Sequence, residues 1–338
     1  MRLIEINKIA EAAEKISALV RTTECQKSNY FSKLFDSNIF YKREDKQTVK
    51  SFKIRGAHNK ILSLDNSDLK YGLVCASAGN HAQGFALSCS TLKYNGTVFM
   101  PETTPKLKIE RVKYFGKNFI EINLHGKSFA DAYYEAELYC KNYNKTFVHP
   151  YNDLKIIEGQ ATLFLEMINQ IDFKIDYLFV PIGGGGLLSG AINVFKQLSK
   201  STVIVGVQVR GAPAMKKSIE QSKLIHLDNV DNFVDGAVVK EVGEITYNFC
   251  KKYLDEIVVV DEGEICYNMM SLLKNEKINA EPAGAMSVAA LRKLKNKIKN
   301  KNVMCIICGG NNDPMRQTEI AERANKWKFK VKIWKYLI

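Results

Sequence analysis

Short apolar runs alternate with helical patterns along most of this chain, and no other feature narrows its fold as far. Ile39–Lys42, Gly72–Ala76, Thr97–Met100, Phe119–Ile122 and Thr146–Val148 read as strands. Between them, Lys53–Leu64, His81–Cys89, Pro105–Phe115 and Ser128–Asn142 read as helices, after a first helical pattern over residues 4–19. The alternation continues with a helix from 156 to about 169, a strand over 177–180, a helix over 187–198 and a strand over 202–208. Further strands are expected at 256–260 and 303–307. Strands that take turns with helices build parallel sheets covered on both faces, so an α/β fold is expected. No internal repeat or long low-complexity linker divides the chain, which points to one compact body of two intertwined lobes.

Composition supports this class. Of 338 residues, 46% are hydrophobic and 25% charged, a globular balance with length for one large or two medium domains. No apolar stretch reaches the roughly 18 residues of a membrane span, and the first sixteen residues lack a signal-peptide core. The eight cysteines sit mostly in apolar contexts rather than a dense framework, which favours a reduced, cytoplasmic setting. The formal charge of +13 suggests nucleic acid at first sight. Ten lysines account for most of it: five between 293 and 301 and five between 326 and 335. Removing them leaves +3 for the body, so neither a nucleic-acid nor a membrane surface is expected.

Gly183, Gly184, Gly185 and Gly186 join the strand at 177–180 to the next helix. Glycines let a backbone approach an anion closely, and a helix start offers free N–H groups and partial positive charge. A P-loop would need Lys and Ser or Thr after the last glycine, where Leu187 and Leu188 stand. A dinucleotide site wants an acidic residue about 20 positions on, where Gly206 and Gln208 stand. Taken alone, the segment is either a tight turn or a phosphate cradle.

Two further segments bear on that choice. Lys53 lies at a helix start between Phe52 and Ile54, where burial would lower its pKa and make the amine nucleophilic. A phosphate cradle together with such a lysine is what pyridoxal phosphate requires. Ser77-Ala78-Gly79-Asn80-His81 joins another strand to another helix. It could serve as a helix cap, as a site for a substrate carboxylate, or as both.

The motifs now form a set. Lys42-Arg43-Glu44-Asp45, Ser51-Phe52-Lys53-Ile54-Arg55-Gly56-Ala57, Ser77 to Gly84 and Met100 to Pro105 come first. Glu158 to Thr162, the glycine tetrad, Phe233 to Ala237, Glu281 to Ala285 and Gly309 to Asp313 follow. In this order, over residues ~20 to ~325, the chain resembles the threonine ammonia-lyase (threonine dehydratase) family of fold-type II pyridoxal-phosphate enzymes.

That resemblance implies a tryptophan synthase β-like fold of two lobes, each with a mostly parallel sheet flanked by helices. Residues 1–47 and 150–325 would form a large cofactor-binding domain, 48–149 a small domain and 326–338 a basic tail. Lys53 would carry the pyridoxal 5′-phosphate and move the substrate proton, with Phe52 beside the cofactor ring. Asn80 would bond the ring hydroxyl, and Gly183 to Leu187 would bind the phosphate. Cys308 stands where the family usually has a serine facing the pyridine nitrogen. Ser77, Ala78, Gly79 and His81 would hold the substrate carboxylate. Glu281 would stand behind the cofactor contacts or on the substrate side. L-threonine, with L-serine as a second substrate, and a homodimer or homotetramer are implied as well.

Departures sharpen these expectations. Ala78 takes the position of a second acid–base serine in serine racemases, so racemisation should be poor. The run after Lys53 lacks the acidic residue usual in cysteine synthases. Cys305 and Cys308 have CxxC spacing, but positions three apart on a strand face opposite sides. Packing is expected for Cys305, and the ring-nitrogen contact for Cys308. The five histidines show no metal-ligand spacing, and no metal is expected. The alternating Lys-Trp-Lys-Phe-Lys-Val-Lys-Ile near the end suits an edge strand or a loose tail. Longer relatives continue into a regulatory domain at this point, so no feedback inhibition by isoleucine is expected of this chain.

Overall fold

A computed structural model describes residues 1–336, and side chains as far as 329. The chain opens with α1 (Ile6–Ile16), β1 (Cys25–Ser28), α2 (Asn29–Phe35) and β2 (Asn38–Arg43). Next come α3 (Lys53–Leu62), α4 (Asn66–Leu69), β3 (Leu73–Ala76), α5 (Asn80–Leu92), β4 (Gly96–Met100) and α6 (Lys106–Gly116). They lead into β5 (Ile120–Leu124), α7 (Phe129–Tyr143) and β6 (Thr146–Phe147). The following stretch holds α8 (Leu154–Gln170), β7 (Tyr177–Pro181), α9 (Gly186–Leu198), β8 (Val203–Val209), α10 (Ala214–Glu220), α11 (Glu244–Tyr253) and β9 (Glu256–Val260). The chain closes with α12 (Glu262–Ser271), α13 (Pro282–Ala290), α14 (Lys295–Ile298), β10 (Asn302–Ile307) and α15 (Gln317–Tyr336).

Two sheets result. The larger has the order β1-β2-β10-β7-β8-β9, and the smaller β5-β4-β3-β6. Every pairing is parallel except β1 with β2. Buried strands need apolar residues on both faces, and β3, β4 and all but the first residue of β7, β8 and β10 are buried throughout. In parallel sheets, sites gather beyond the carboxyl ends of the strands. That is where the key segments fall: Lys53 after β2, Ser77–Gly79 after β3, the glycine tetrad after β7 and Cys308 after β10.

Local chemistry sets the helix starts. Ser128 and Asp131 form a reciprocal capping box on α7, and the Asp153 side chain accepts from Lys155 and Ile156 N–H at the start of α8. Helix α5 packs across α3 where a Cβ on Gly84 would lie 3.1 Å from Ile54 N and from the Lys53 carbonyl carbon. The lysine therefore sits at a close crossing that a larger residue would push apart.

A buried charge network ties α3 to the large sheet. Arg55 donates to both oxygens of Glu44 at 2.8 Å and to Glu166 Oε2 at 3.0 Å. Lys42 donates to Glu166 Oε1 at 2.6 Å. Burial alone would raise the Glu44 carboxyl, but the Arg55 charge and hydrogen bonds hold it below its usual value.

The chain end differs from the expected strand or loose tail. Residues up to Tyr336 continue α15, and Leu337 and Ile338 lie outside the described residues. The reason is a helical stripe hidden behind the Lys alternation. Ile320 and Ala324 are buried, and Trp327, one turn further, packs on the Tyr267 ring with Arg292 over its face at 5.2 Å. Spacing of four and three puts these residues on one face. Among the described residues, no helix is long and apolar enough to cross a membrane.

Candidate active site

Lys53 begins α3 with its side chain inside the molecule. Its Nζ donates to the Pro150 carbonyl at 2.8 Å and lies 5.5 Å from the centre of the Phe52 ring. Burial lowers its pKa to about 8, while Cys308 and Glu281 nearby pull it back up. An amine so placed is still mostly protonated at pH 7, but its unprotonated share is far larger than that of an ordinary lysine, as a nucleophile or base needs.

The lysine stands at one wall of a cleft of about 440 Å³, including its open mouth. Gly183, Gly184, Gly185, Gly186 and Leu187 form another wall, and Cys308, Gly236, Ala237 and Ala283 close it. The tetrad owes its glycines to its neighbours. A Cβ on Gly184 would fall 2.3 Å from Tyr151 Cγ, and Gly185 has φ +96° with Thr246 Cβ 2.8 Å from where its own Cβ would be. The Thr246 hydroxyl donates to the Gly184 carbonyl at 2.6 Å, fixing the loop from behind. The loop's free N–H groups and the start of α9 then face the cleft with partial positive charge.

These residues fit pyridoxal phosphate. The tetrad and α9 offer a phosphate seat, Phe52 and the alanines offer flat apolar walls, and Lys53 offers the amine. Cys308 is a buried neutral thiol, because burial first and the Glu281 charge next push its pKa well up. A neutral thiol does not enforce protonation of a ring nitrogen. Cys305, three residues back, points elsewhere: its Sγ lies 3.9 Å from the Ser287 carbonyl within the core.

The remaining expected residues lie beside the cleft. Ser77, Ala78 and Gly79 form a half-buried turn at the start of α5. His81 turns its ring inward, with Nε2 2.9 Å from the Val148 carbonyl. Its side chain therefore serves the core, leaving its backbone N–H for any anion at the helix start. Asn80 donates to Glu281 Oε1 at 2.6 Å and accepts from Asn311 Nδ2 at 2.7 Å. Asn311 N–H in turn donates to Glu281 Oε2 at 3.1 Å. Burial and the nearby Asp235 charge raise the Glu281 carboxyl to about 7, so it can hold or release a proton at working pH.

Residues that the sequence does not single out complete the site. Tyr151 covers the tetrad and Pro150 receives the lysine's hydrogen bond. Gln160 lines the cleft and accepts from Gly56 N–H at 3.2 Å. The Glu158-to-Thr162 motif could have pointed to Gln160; nothing local points to Thr246.

The comparisons with known proteins agree with this geometry. The model of the family described as "Pyridoxal-phosphate dependent enzyme" matches residues 16–309. This chain belongs to that family. The chain is 48% identical over 324 residues to the L-threonine dehydratase biosynthetic IlvA of Halalkalibacterium halodurans, covering 96% of this chain and 78% of that protein. Among solved structures it resembles the processed threonine deaminase isoform 2 of Solanum lycopersicum, at 32% identity and a TM-score of 0.88, covering 96% and 92% of the two chains. Maize serine racemase superposes with a TM-score of 0.88 at 28% identity, covering 99% of each chain. The fold is thus that of fold-type II pyridoxal-phosphate enzymes, and pyridoxal phosphate is the cofactor.

Proposed function

We propose that this chain is a threonine ammonia-lyase, converting L-threonine to 2-oxobutanoate and ammonia and L-serine to pyruvate and ammonia. The observation that carries this reading is the buried Lys53 amine facing the glycine-lined cleft, with a neutral thiol at Cys308. The 48% identity to a biosynthetic L-threonine dehydratase supports the choice of substrate.

When bound, pyridoxal phosphate supplies the electron sink that lets the bond between Cα and its hydrogen break. The chain supplies the rest. The tetrad and the start of α9 hold the phosphate, and Phe52 walls the ring. Lys53, with its proton affinity lowered by burial, accepts the Cα proton. The Pro150 carbonyl keeps the lysine's amine turned into the cleft. The turn at Ser77 to Gly79 receives the substrate carboxylate on its backbone N–H groups. The β-hydroxyl leaves as water, taking up one proton to balance the one that Lys53 removed, so the lysine ends the cycle unprotonated again. The released enamine tautomerises and takes up water, freeing ammonia. Ala78 presents no hydroxyl from the substrate's other face, which favours elimination over racemisation.

The large domain of residues 1–47 and 150–325, the small domain of 48–149, a homo-oligomeric state and a cytoplasmic setting belong to the same reading. The test incubates purified protein with pyridoxal phosphate and L-threonine and measures 2-oxobutanoate. Turnover that Lys53→Ala abolishes is expected. Turnover that survives Lys53→Ala, or D-amino acid as the main product, would overturn the reading.

A further inference from the structure

The segment after β6 performs three tasks in three consecutive residues. The Pro150 carbonyl accepts from Lys53 Nζ at 2.8 Å. The Tyr151 ring lies against Gly184, where it leaves no room for a Cβ. Asn152 Oδ1 accepts from Ile245 N–H at 2.9 Å at the start of α11, the helix whose Thr246 holds the Gly184 carbonyl. Catalytic amine, phosphate loop and the support behind it are therefore set by one short turn.

His149 makes that turn. Its Nδ1 accepts from the N–H of Tyr151 at 3.1 Å and of Asn152 at 2.8 Å. Accepting from residues two and three ahead is the pattern that Asp and Asn side chains use to build turns and caps. A ring nitrogen that accepts two N–H groups carries no proton, so the ring's proton belongs on Nε2. Aromatic edges pack around the half-buried ring, with Tyr151 at 4.6 Å, Tyr133 at 6.0 Å and Phe147 at 6.1 Å between centroids. Burial favours the same unprotonated form.

We propose that His149 is a positioning residue for this reaction, whose Nδ1 fixes the Pro150–Asn152 turn and thereby sets the Lys53 amine against the phosphate loop. The proposal rests on the reading of Lys53 as the amine that carries the cofactor.

Two variants separate the acceptor from the ring. His149→Leu fills the space without an acceptor, whereas His149→Asn restores a short side-chain acceptor and loses ring volume. Two measurements apply to each full-length variant. One is pyridoxal phosphate affinity by absorbance titration. The other is the pH midpoint of Lys53 labelling by an amine-reactive reagent in the cofactor-free protein, read by mass spectrometry. Losing the shared acceptor of two hydrogen bonds should weaken cofactor binding about tenfold in His149→Leu. Its Lys53 midpoint should move away from the wild-type value of about 8 as the amine loses its seat on the Pro150 carbonyl. His149→Asn should return both towards wild type. Leu within twofold of wild type in affinity and within about 0.3 pH units of wild type in midpoint, or Asn as impaired as Leu, overturns the proposal. If Leu does not fold, Asn decides alone: wild-type values support the proposal and impaired values overturn it. Lys53→Ala binding the cofactor as wild type would instead sink the reading of Lys53, and the labelling midpoint tests the turn independently of turnover.

Discussion

The glycine tetrad offers a quantitative test of how the phosphate seat is built. Gly184→Ala places a methyl 2.3 Å from Tyr151 Cγ and 2.4 Å from both Cδ atoms. These atoms are at the root of the ring, and the ring is held by its hydroxyl on the Glu241 carbonyl at 3.2 Å and by the His149 edge at 4.6 Å. The ring cannot swing aside freely, so the loop or Tyr151 must move. Overpacking of this kind costs about 1–3 kcal/mol. At about 1.4 kcal/mol per decade, cofactor affinity should fall roughly 5- to 150-fold if the strain falls on the bound loop. Tyr151→Ala removes the colliding atoms but exposes the tetrad's outer face. Burying a whole aromatic side chain is worth about 1.5–3 kcal/mol, and this half-buried ring should give less. In the double variant the collision is gone, so the two costs should fall short of their sum by about 1–3 kcal/mol. Absorbance titration with pyridoxal phosphate measures all four corners, and thermal unfolding of the cofactor-free proteins reports any general loss of stability. Strictly additive costs would refute the argument, because the methyl would then obstruct the phosphate rather than the ring.

Three other outcomes are expected. His58, His81 and His149 are held below the ordinary 6.5, at about 4, 3 and 4, chiefly by burial. Each fold-specific contribution is whole above pH 6.5 and lost as pH falls towards those values, because the unfolded chain binds protons that the fold resists. The unfolding temperature should therefore decline steadily from pH 6.5 to 4, and a flat profile would refute this. Cys308→Ser exchanges one neutral hydrogen-bonding group for another and should keep dehydratase turnover; an inactive variant with full cofactor occupancy would contradict that. Arg55→Met strands the buried Glu44 carboxylate and should cost about 3–5 kcal/mol in urea unfolding. Adding Glu44→Gln should recover part of the loss, and a single-variant cost below about 1 kcal/mol would remove the network from the stability argument.

What could be read from the chain followed from how local each signal was. Strands β2 to β5 and β7 to β10 carry apolar runs that periodicity detects, and the expected spans match to within a residue or two. Strand β1, Cys-Gln-Lys-Ser, has no such run. It forms because β2 offers it an antiparallel edge. Helix α13 was equally hidden, since all nine residues are buried and no amphipathic stripe remains. In α15 the Lys alternation masked a helical stripe of Ile320, Ala324 and Trp327.

The site divides along the same line. Lys53 and the tetrad announce themselves because each does its work with its own backbone or side chain beside a strand end. Tyr151, Thr246 and Ala237 act only because the fold brings them to the glycines, and their chemistry there is steric or a single hydrogen bond. His149 was legible as a histidine but not as a turn maker, a task for which Asp or Asn is the usual sign. A glycine loop in sequence therefore specifies that backbone will approach something closely; in this protein the approach is made on both sides. The cleft-facing N–H groups can meet a phosphate only because Tyr151 and Thr246 occupy the side where a Cβ would otherwise point. The tetrad is thus as much a packing requirement as a binding one.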